Sequence, residues 1–287
     1  MKRLVYFLII MSILMFACNI SLPSTPPVVT TPTIVSAPTG VSPTLADTPI
    51  PAATVPPITT NITCNNLSFY LDPALASGFN CETVPENTQG MEVNPQYTDL
   101  TLQGYILSDK FFPAHIAVYP VQDFTNILPD FIPSRVTDLQ TLIGGGPAPV
   151  FTTSFSTSLP FLPVFNAAQV FFARYQSIPF VSGSGIRFLT EFAQYSAPVN
   201  NYDLFYTYQG LTYDGQYWVS AILPINNPIL PVNADSVLSG ANQDEFNANF
   251  ESYITDMVNQ LNSQTPESYG PTLTALDALV SSITIQP

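Results

Sequence analysis

Residues 168–223 carry the clearest pattern in the chain, side chains alternating with the period of two that a β-strand imposes. Ala168, Val170, Phe172 and Arg174 interleave with Gln169, Phe171, Ala173 and Tyr175. Ser182-Gly183-Ser184-Gly185 reads as a turn, after which Ile186, Phe188, Thr190 and Phe192 interleave with Arg187, Leu189 and Glu191. Asn200-Asn201 marks the next turn. Tyr202, Leu204, Tyr206 and Tyr208 then share one face, and Asp203, Phe205, Thr207 and Gln209 the other. Asp214-Gly215 is a hairpin signal, and a two-residue loop there pairs Tyr213 with Gln216 and Leu211 with Trp218. Tyr217, Val219, Ala221 and Leu223 alternate with Trp218, Ser220 and Ile222 until Pro224 ends the strand. The pattern predicts an antiparallel β-meander of four strands in sequence order.

Two earlier strands are predicted over residues 100–107 and 114–121, with Ile116, Val118 and Pro120 on one side and His115, Ala117 and Tyr119 on the other. Residues 134–143 have a helical stripe of Val136, Leu139 and Ile143. The proline-studded stretches 124–133 and 147–163 read as ordered loops. Near the C-terminus, Asn242 and Glu245 form a capping-box variant ahead of the stripe Phe246, Phe250, Ile254, Met257, Val258 and Leu261. A second stripe holds Leu273, Leu276, Leu279, Val280 and Ile283. Most of the meander is apolar on both faces, so each face needs a cover. The expected fold class is α+β, with the two C-terminal helices on one face of the sheet and the helix over 134–143 on the other.

The N-terminus has another character. Lys2 and Arg3 precede an apolar run over residues 4–16, interrupted only by Ser12, which reads as a secretory signal peptide. Leu14-Met15-Phe16-Ala17-Cys18 resembles the lipobox of bacterial lipoproteins, departing from it at Met15 and at the bulky Phe16. The resemblance implies cleavage after residue 17 and lipid on Cys18, hence attachment to a membrane. The other reading is an ordinary cleaved signal or a short uncleaved anchor. If Cys18 carries lipid, Cys64 and Cys81 remain of the three cysteines, either as a disulfide or as two free thiols. Free thiols are disfavoured after export. Residues 21–60 hold 10 Pro, 10 Thr and 4 Ser with Asp47 as the one charge. Such a stretch forms no core and extends at ~3.1 Å per residue, on the order of 120 Å in all. The expected organisation is a signal peptide over 1–17, a lipidated Cys18 and tether over 18–60, and one extracytoplasmic domain over 61–287.

Composition narrows the function classes. Of 287 residues, 6 are Lys or Arg and 20 are Asp or Glu, for a formal charge of −14. Nucleic acid is excluded as a partner, because so few cations cannot neutralise a phosphate backbone. One His and three Cys leave little for a metal site. His115 has no nucleophile or orienting acid assigned to it by the sequence. Gly144-Gly145-Gly146-Pro147 lacks the Lys-Ser/Thr of a phosphate loop. Arg187 and Glu191 lie four residues apart on one strand face, about 13 Å along it, too far to pair directly. Asp214-Gly215 lacks the alternating acids of a calcium loop.

The runs CNNLSFYLDPALASGFNCETVPE, GSGIRFLTEFAQY and LTYDGQYWVSAILPINNPILP resemble stretches in uncharacterised bacterial surface lipoproteins with a Pro/Thr-rich tether. The element order is similar to the PsbP/Mog1-like α+β sandwich. The resemblance implies location and fold, and proteins of that shape bind partners rather than catalyse.

The expectation is a lipid-anchored extracytoplasmic domain with a binding or structural role at the cell envelope. It implies no cofactor, metal or catalytic residue, and an envelope protein or glycan as partner. The candidate ligand surface is Tyr202, Tyr206, Tyr208, Trp218 and Arg187, since aromatic faces stack on sugars or wall a pocket; the alternative is that these aromatics are core. Two other functions stay open: a surface hydrolase using a pair among Asp99, Glu191, Asp203 and Asp214, and an assembly or chaperone-like subunit of a membrane complex.

Overall fold

The computed structural model describes residues 60–90, 92–153, 158–238 and 243–286. The signal peptide, Cys18, the tether up to residue 59 and the Asn242 cap lie outside the described residues. Thr60, assigned to the tether from the sequence, is the first residue of a strand.

Strands β1 (Thr60–Cys64) and β2 (Leu67–Leu71) form a hairpin. Then come β3 (Gly78–Val84), β4 (Tyr97–Gln103) and β5 (His115–Pro120), followed by helices α1 (Val121–Ile127) and α2 (Ile132–Ile143). After a loop the chain makes β6 (Ala168–Gln169), β7 (Ala173–Phe180), β8 (Gly183–Thr190), β9 (Phe192–Ala193), β10 (Phe205–Thr212) and β11 (Tyr217–Pro224). It closes with α3 (Asp235–Leu238), α4 (Gln243–Ser263), α5 (Leu273–Ser281) and β12 (Thr284–Ile285). The class is α+β. A seven-stranded antiparallel sheet runs in the order β3-β4-β5-β11-β10-β8-β7, and β12 pairs with β2 in a second, three-stranded sheet.

The large sheet is two meanders joined edge to edge. One is β3-β4-β5; the other is the expected four strands in sequence order, β7-β8-β10-β11. The seam is the antiparallel pair β5 and β11, with Tyr119 opposite Trp218. Leu211 faces Trp218 across the Asp214-Gly215 hairpin, as the two-residue loop requires. Both faces of the sheet are buried, one under α4, α5 and the small sheet, the other under α1, α2 and residues 159–165. The C-terminal helices and the 134–143 helix therefore lie on opposite faces, as the alternation of apolar positions demands.

Local differences have local causes. The turn expected at residues 182–185 is only Val181-Ser182, and Gly183 and Gly185 are strand residues. Their glycines serve packing: a Cβ at Gly185 would stand 2.6 Å from the Tyr208 ring, and one at Gly183 would stand 2.5 Å from the Phe180 ring. The strand expected over 168–175 is broken at Val170, and β7 carries a bulge between Ala173 and Gln176 with Arg174 at φ 54°. Residues 124–133 are largely helical, because Pro133 sits in the first turn of α2, where a missing N–H costs no helix bond. Tyr202 precedes its strand, which begins at Phe205.

Two links hold the layers together. Cys64 and Cys81 have their sulfurs 2.00 Å apart, the distance of a disulfide, joining β1 to the edge strand β3. Arg187 on β8 forms a bidentate ion pair with Asp277 on α5, Nε to Oδ1 at 3.1 Å and Nη2 to Oδ2 at 3.0 Å. The same guanidinium donates to Gln176 Oε1 at 2.6 Å and to the carbonyl of Arg174. Tyr206 adds a hydroxyl donor to Asp277 Oδ1 at 3.0 Å. Removing one member of a buried pair strands the other charge, at a cost of about 3–5 kcal/mol. Asp277→Asn is therefore expected to lower the unfolding free energy by about 3 kcal/mol, read from urea denaturation followed by the single tryptophan, Trp218. A loss under about 1 kcal/mol, the value of a solvated surface pair, would contradict this account.

Candidate functional site

The aromatic residues singled out by alternation do not share a surface. Tyr206, Tyr208 and Trp218 are fully buried. Tyr206 and Tyr208 point into the core under α4 and α5, and Trp218 into the core under α2. Each polar group is spent internally: Tyr208 donates to the Ile178 carbonyl at 2.8 Å, and Trp218 Nε1 donates to Gln209 Oε1 at 2.8 Å. Burial pushes both tyrosine hydroxyls up from the usual phenol range. Arg187 is 2% exposed and saturated by Asp277, Gln176 and Arg174. Tyr202 alone is exposed, its ring edge-on to Phe111 at 6.3 Å. The reason is that the sheet is covered on both sides, so strand aromatics become core on whichever face they lie.

The concave surface is built from loops instead. A cavity of about 640 Å³ is walled by Phe161 and Phe165 of the loop after residue 158, Phe171, Phe172, and Phe192 of β9. Phe131, just before α2, and Arg135 of α2 close one side, and Phe250 and Ile254 of α4 the other. The rings support one another: Phe161 and Phe192 lie 4.7 Å apart, and Phe165 stands edge-on to Phe192 at 5.0 Å. Phe112 stacks behind Phe165 at 4.9 Å. The loop is fastened by side-chain amides. Gln209 accepts from Leu162 N at 3.0 Å and donates to Leu162 O at 3.1 Å; Gln169 accepts from Leu159 N at 2.8 Å.

Phe151 and Phe172, edge to face at 5.6 Å, also line a second cavity of about 470 Å³. Arg174, Tyr175 and Gln176 form one side of it, and Thr255, Asn259 and Asn262 of α4 another. Arg174 binds the last turn of α4 twice, its backbone N–H to Asn262 Oδ1 at 2.7 Å and its Nη1 to Asn262 O at 2.9 Å.

The acids lie elsewhere. Asn200 bridges two of those weighed for hydrolysis, its backbone N–H to Glu191 Oε2 at 3.3 Å and its Nδ2 to Asp203 Oδ2 at 2.8 Å. Glu191 is 1% exposed, lines neither cavity, and leaves Oε1 without a partner among the described residues. Burial, with the charge of Asp203 beside it, raises its carboxyl well above the usual glutamate range. Asp99 is also raised, by burial, with His115 pulling the other way. The structure thus brings His115 near Asp99, a pairing that the sequence did not identify. Thr101, opposite His115 in the register of β4 and β5, donates to Asp99 Oδ2 at 3.2 Å. Asp214 accepts from Thr212 and Gln216 within its hairpin.

The cavity phenylalanines were not singled out from the sequence. Phe161 and Phe165 sit in a proline-rich stretch with no period, where the one signal is aromatic density, while Phe171, Phe172 and Phe192 were read as strand alternation and Phe250 as part of a helical stripe.

Because Glu191 holds its proton in the folded state more tightly than in the unfolded one, its contribution is full below the ordinary glutamate range. It is lost as pH rises through the raised folded value. Wild-type stability should fall with rising pH in that window, by at most about 1.4 kcal/mol per pH unit for one proton. Glu191→Gln should flatten this fall, and its stability relative to wild type should rise from pH 4 to pH 8. Parallel denaturation profiles for the two proteins would contradict the assignment.

No protein-family model, no curated protein and no solved structure matches the chain.

Proposed function

We propose that the chain is a lipid-anchored extracytoplasmic binding protein of the bacterial envelope, whose folded domain takes an apolar ligand into the phenylalanine-walled cavity. The observation that carries the binding reading is the cavity itself. Its volume of about 640 Å³ is in the range of small-molecule sites, and such sites are concave, largely apolar and set with a few polar groups. The location rests on the signal sequence, the lipobox-like Cys18 and the Pro/Thr-rich spacer. The antiparallel sheet with C-terminal helices against one face supports a PsbP/Mog1-like sandwich. The buried placement of Glu191 weighs against the carboxylate hydrolase.

Two experiments test the two halves. Metabolic labelling with a radioactive fatty acid should mark the wild-type chain and leave Cys18→Ala unlabelled; equal labelling overturns the anchor. For the ligand half, the full chain carrying Cys18→Ala, purified without detergent, is titrated with the neutral dye N-phenyl-1-naphthylamine. Binding should saturate with fluorescence enhancement, weaken about tenfold in Phe165→Ser, a change of about 1.4 kcal/mol, and stay unchanged in Tyr213→Ser. A dye response absent from wild type, or equal in Phe165→Ser, overturns the cavity as the site. Trp218 emission reports in every case that the domain is folded.

A further inference from the structure

We infer that the ligand is a single-chain amphiphile with an anionic head, its apolar chain in the phenylalanine cavity and its head against Arg174 in the adjoining one. The inference rests on the apolar-cavity reading and adds the chemistry of the ligand's other end. The two cavities share Phe151 and Phe172 and both run along α4, from Phe250 in the first to Asn262 in the second. Twelve helical residues span about 18 Å, which suits an extended alkyl chain with its head group.

Charge sets the direction. The domain is strongly acidic, yet of its four cations, Lys110, Arg135, Arg174 and Arg187, the three arginines line these two cavities. Arg187 is neutralised by Asp277 at 3.0 Å. Arg135 has Asp138 at 4.0 Å and lies over the Phe131 ring at 5.1 Å. Arg174 has no carboxylate within ion-pair distance among the described residues. Glu251 is the one carboxylate lining either cavity among the described residues, and it sits on α4 eleven residues before Asn262, about 16 Å away. An anionic head is therefore repelled at one end of the trough and drawn to the other.

Hydrogen-bonding capacity points the same way. Five buried side-chain atoms lack a partner among the described residues. Three of them are donors on residues lining these cavities: Arg135 Nε, Gln169 Nε2 and Arg174 Nε. The two others, Glu191 Oε1 and Asn227 Nδ2, belong to residues outside both. Buried, unfulfilled donors on the residues that wall an apolar trough favour a ligand that brings acceptors. The bulge in β7 holds Arg174 at φ 54°, a conformation disfavoured for an L side chain, and a bulge re-aims the side chains of its strand.

The test displaces N-phenyl-1-naphthylamine from the full chain carrying Cys18→Ala, using dodecanoate and dodecan-1-ol below their aggregation limits at pH 8. These probes share the chain and differ in the head. Dodecanoate should bind about tenfold more tightly than the alcohol, as a charge-assisted hydrogen bond allows. Arg174→Gln should bring the acid to the level of the alcohol while leaving dye and alcohol affinities within about twofold, Arg174→Lys should keep part of the preference, and Arg135→Gln should keep all of it. Equal wild-type affinities for acid and alcohol overturn the inference, and so does a preference that survives Arg174→Gln or vanishes in Arg135→Gln. Should Arg174→Gln fail to fold, the wild-type ratio decides alone. Failure of the dye to bind wild type overturns the cavity itself and is distinct from all of these.

Discussion

The cavity depends on one carboxamide. A loop laid over a sheet buries backbone groups that have no ladder to join, and each unpaired one costs about 1–3 kcal/mol. Gln209, buried in the middle of β10, supplies the missing ladder to Leu162, accepting from its N–H and donating to its carbonyl. Its neighbours are arranged around that task. Trp218 Nε1 donates to the same Oε1, while the hydroxyls of Thr207 and Ser220 accept from Nε2 at 2.9 and 3.0 Å and donate onward to Ala221 O and Leu162 O. With Leu162 fastened, Phe161 is held against Phe192 and Phe205, and Phe165 closes the ring cluster. A fully buried polar residue on the sheet thus fixes an apolar wall.

Scarcity of positive charge shapes the rest. Arg187 fastens α5 to the sheet, and Lys110 donates to the Asn201 carbonyl and to Asn226 Oδ1, tying the turn before β10 to the segment after β11. Burial lowers the Lys110 ammonium from its usual range, partly offset by Asp203. With so few cations, Lys110, Arg174 and Arg187 are each placed where they join segments distant in sequence, while Arg135 stays with its own helix turn. Arg174, clasped to the end of α4 by a carbonyl instead of a carboxylate, keeps most of its charge unanswered.

The meander was legible because its strands are long, alternate in character and are joined by turns with chemistry of their own. The covering helices were legible because an apolar stripe on α4 and α5 needs a flat partner. What escaped did so for physical reasons. β3 is an edge strand whose residues are mostly exposed, so it leaves no apolar period. β12 has two residues, too few for any period, and the two-residue β6 and β9 were read as ends of the longer strands beside them. Gly183 and Gly185 resembled a turn because the absence of a side chain looks the same whether it frees the backbone or makes room for a ring. The site fared worse. Tyr206, Tyr208 and Trp218 drew attention as aromatics on strands, where a sheet covered on both faces must bury them. Phe161 and Phe165 lie in a proline-rich segment fastened by Gln209, a contact that no local pattern encodes, and Phe192 was read as the end of a longer strand instead of a separate β9.

The bond between Cys64 and Cys81 also fixes a route for mechanical load. Residues before Thr60 enter the described fold through β1, which is paired only with β2. A pull transmitted along them would peel β1 from its hairpin one residue at a time. After five residues it reaches Cys64, and from there the tension passes covalently to Cys81 in the seven-stranded sheet. The load then bypasses the chain between Cys64 and Cys81, and the walls of both cavities, built on α2, β6 to β9 and α4, lie farther along the sequence.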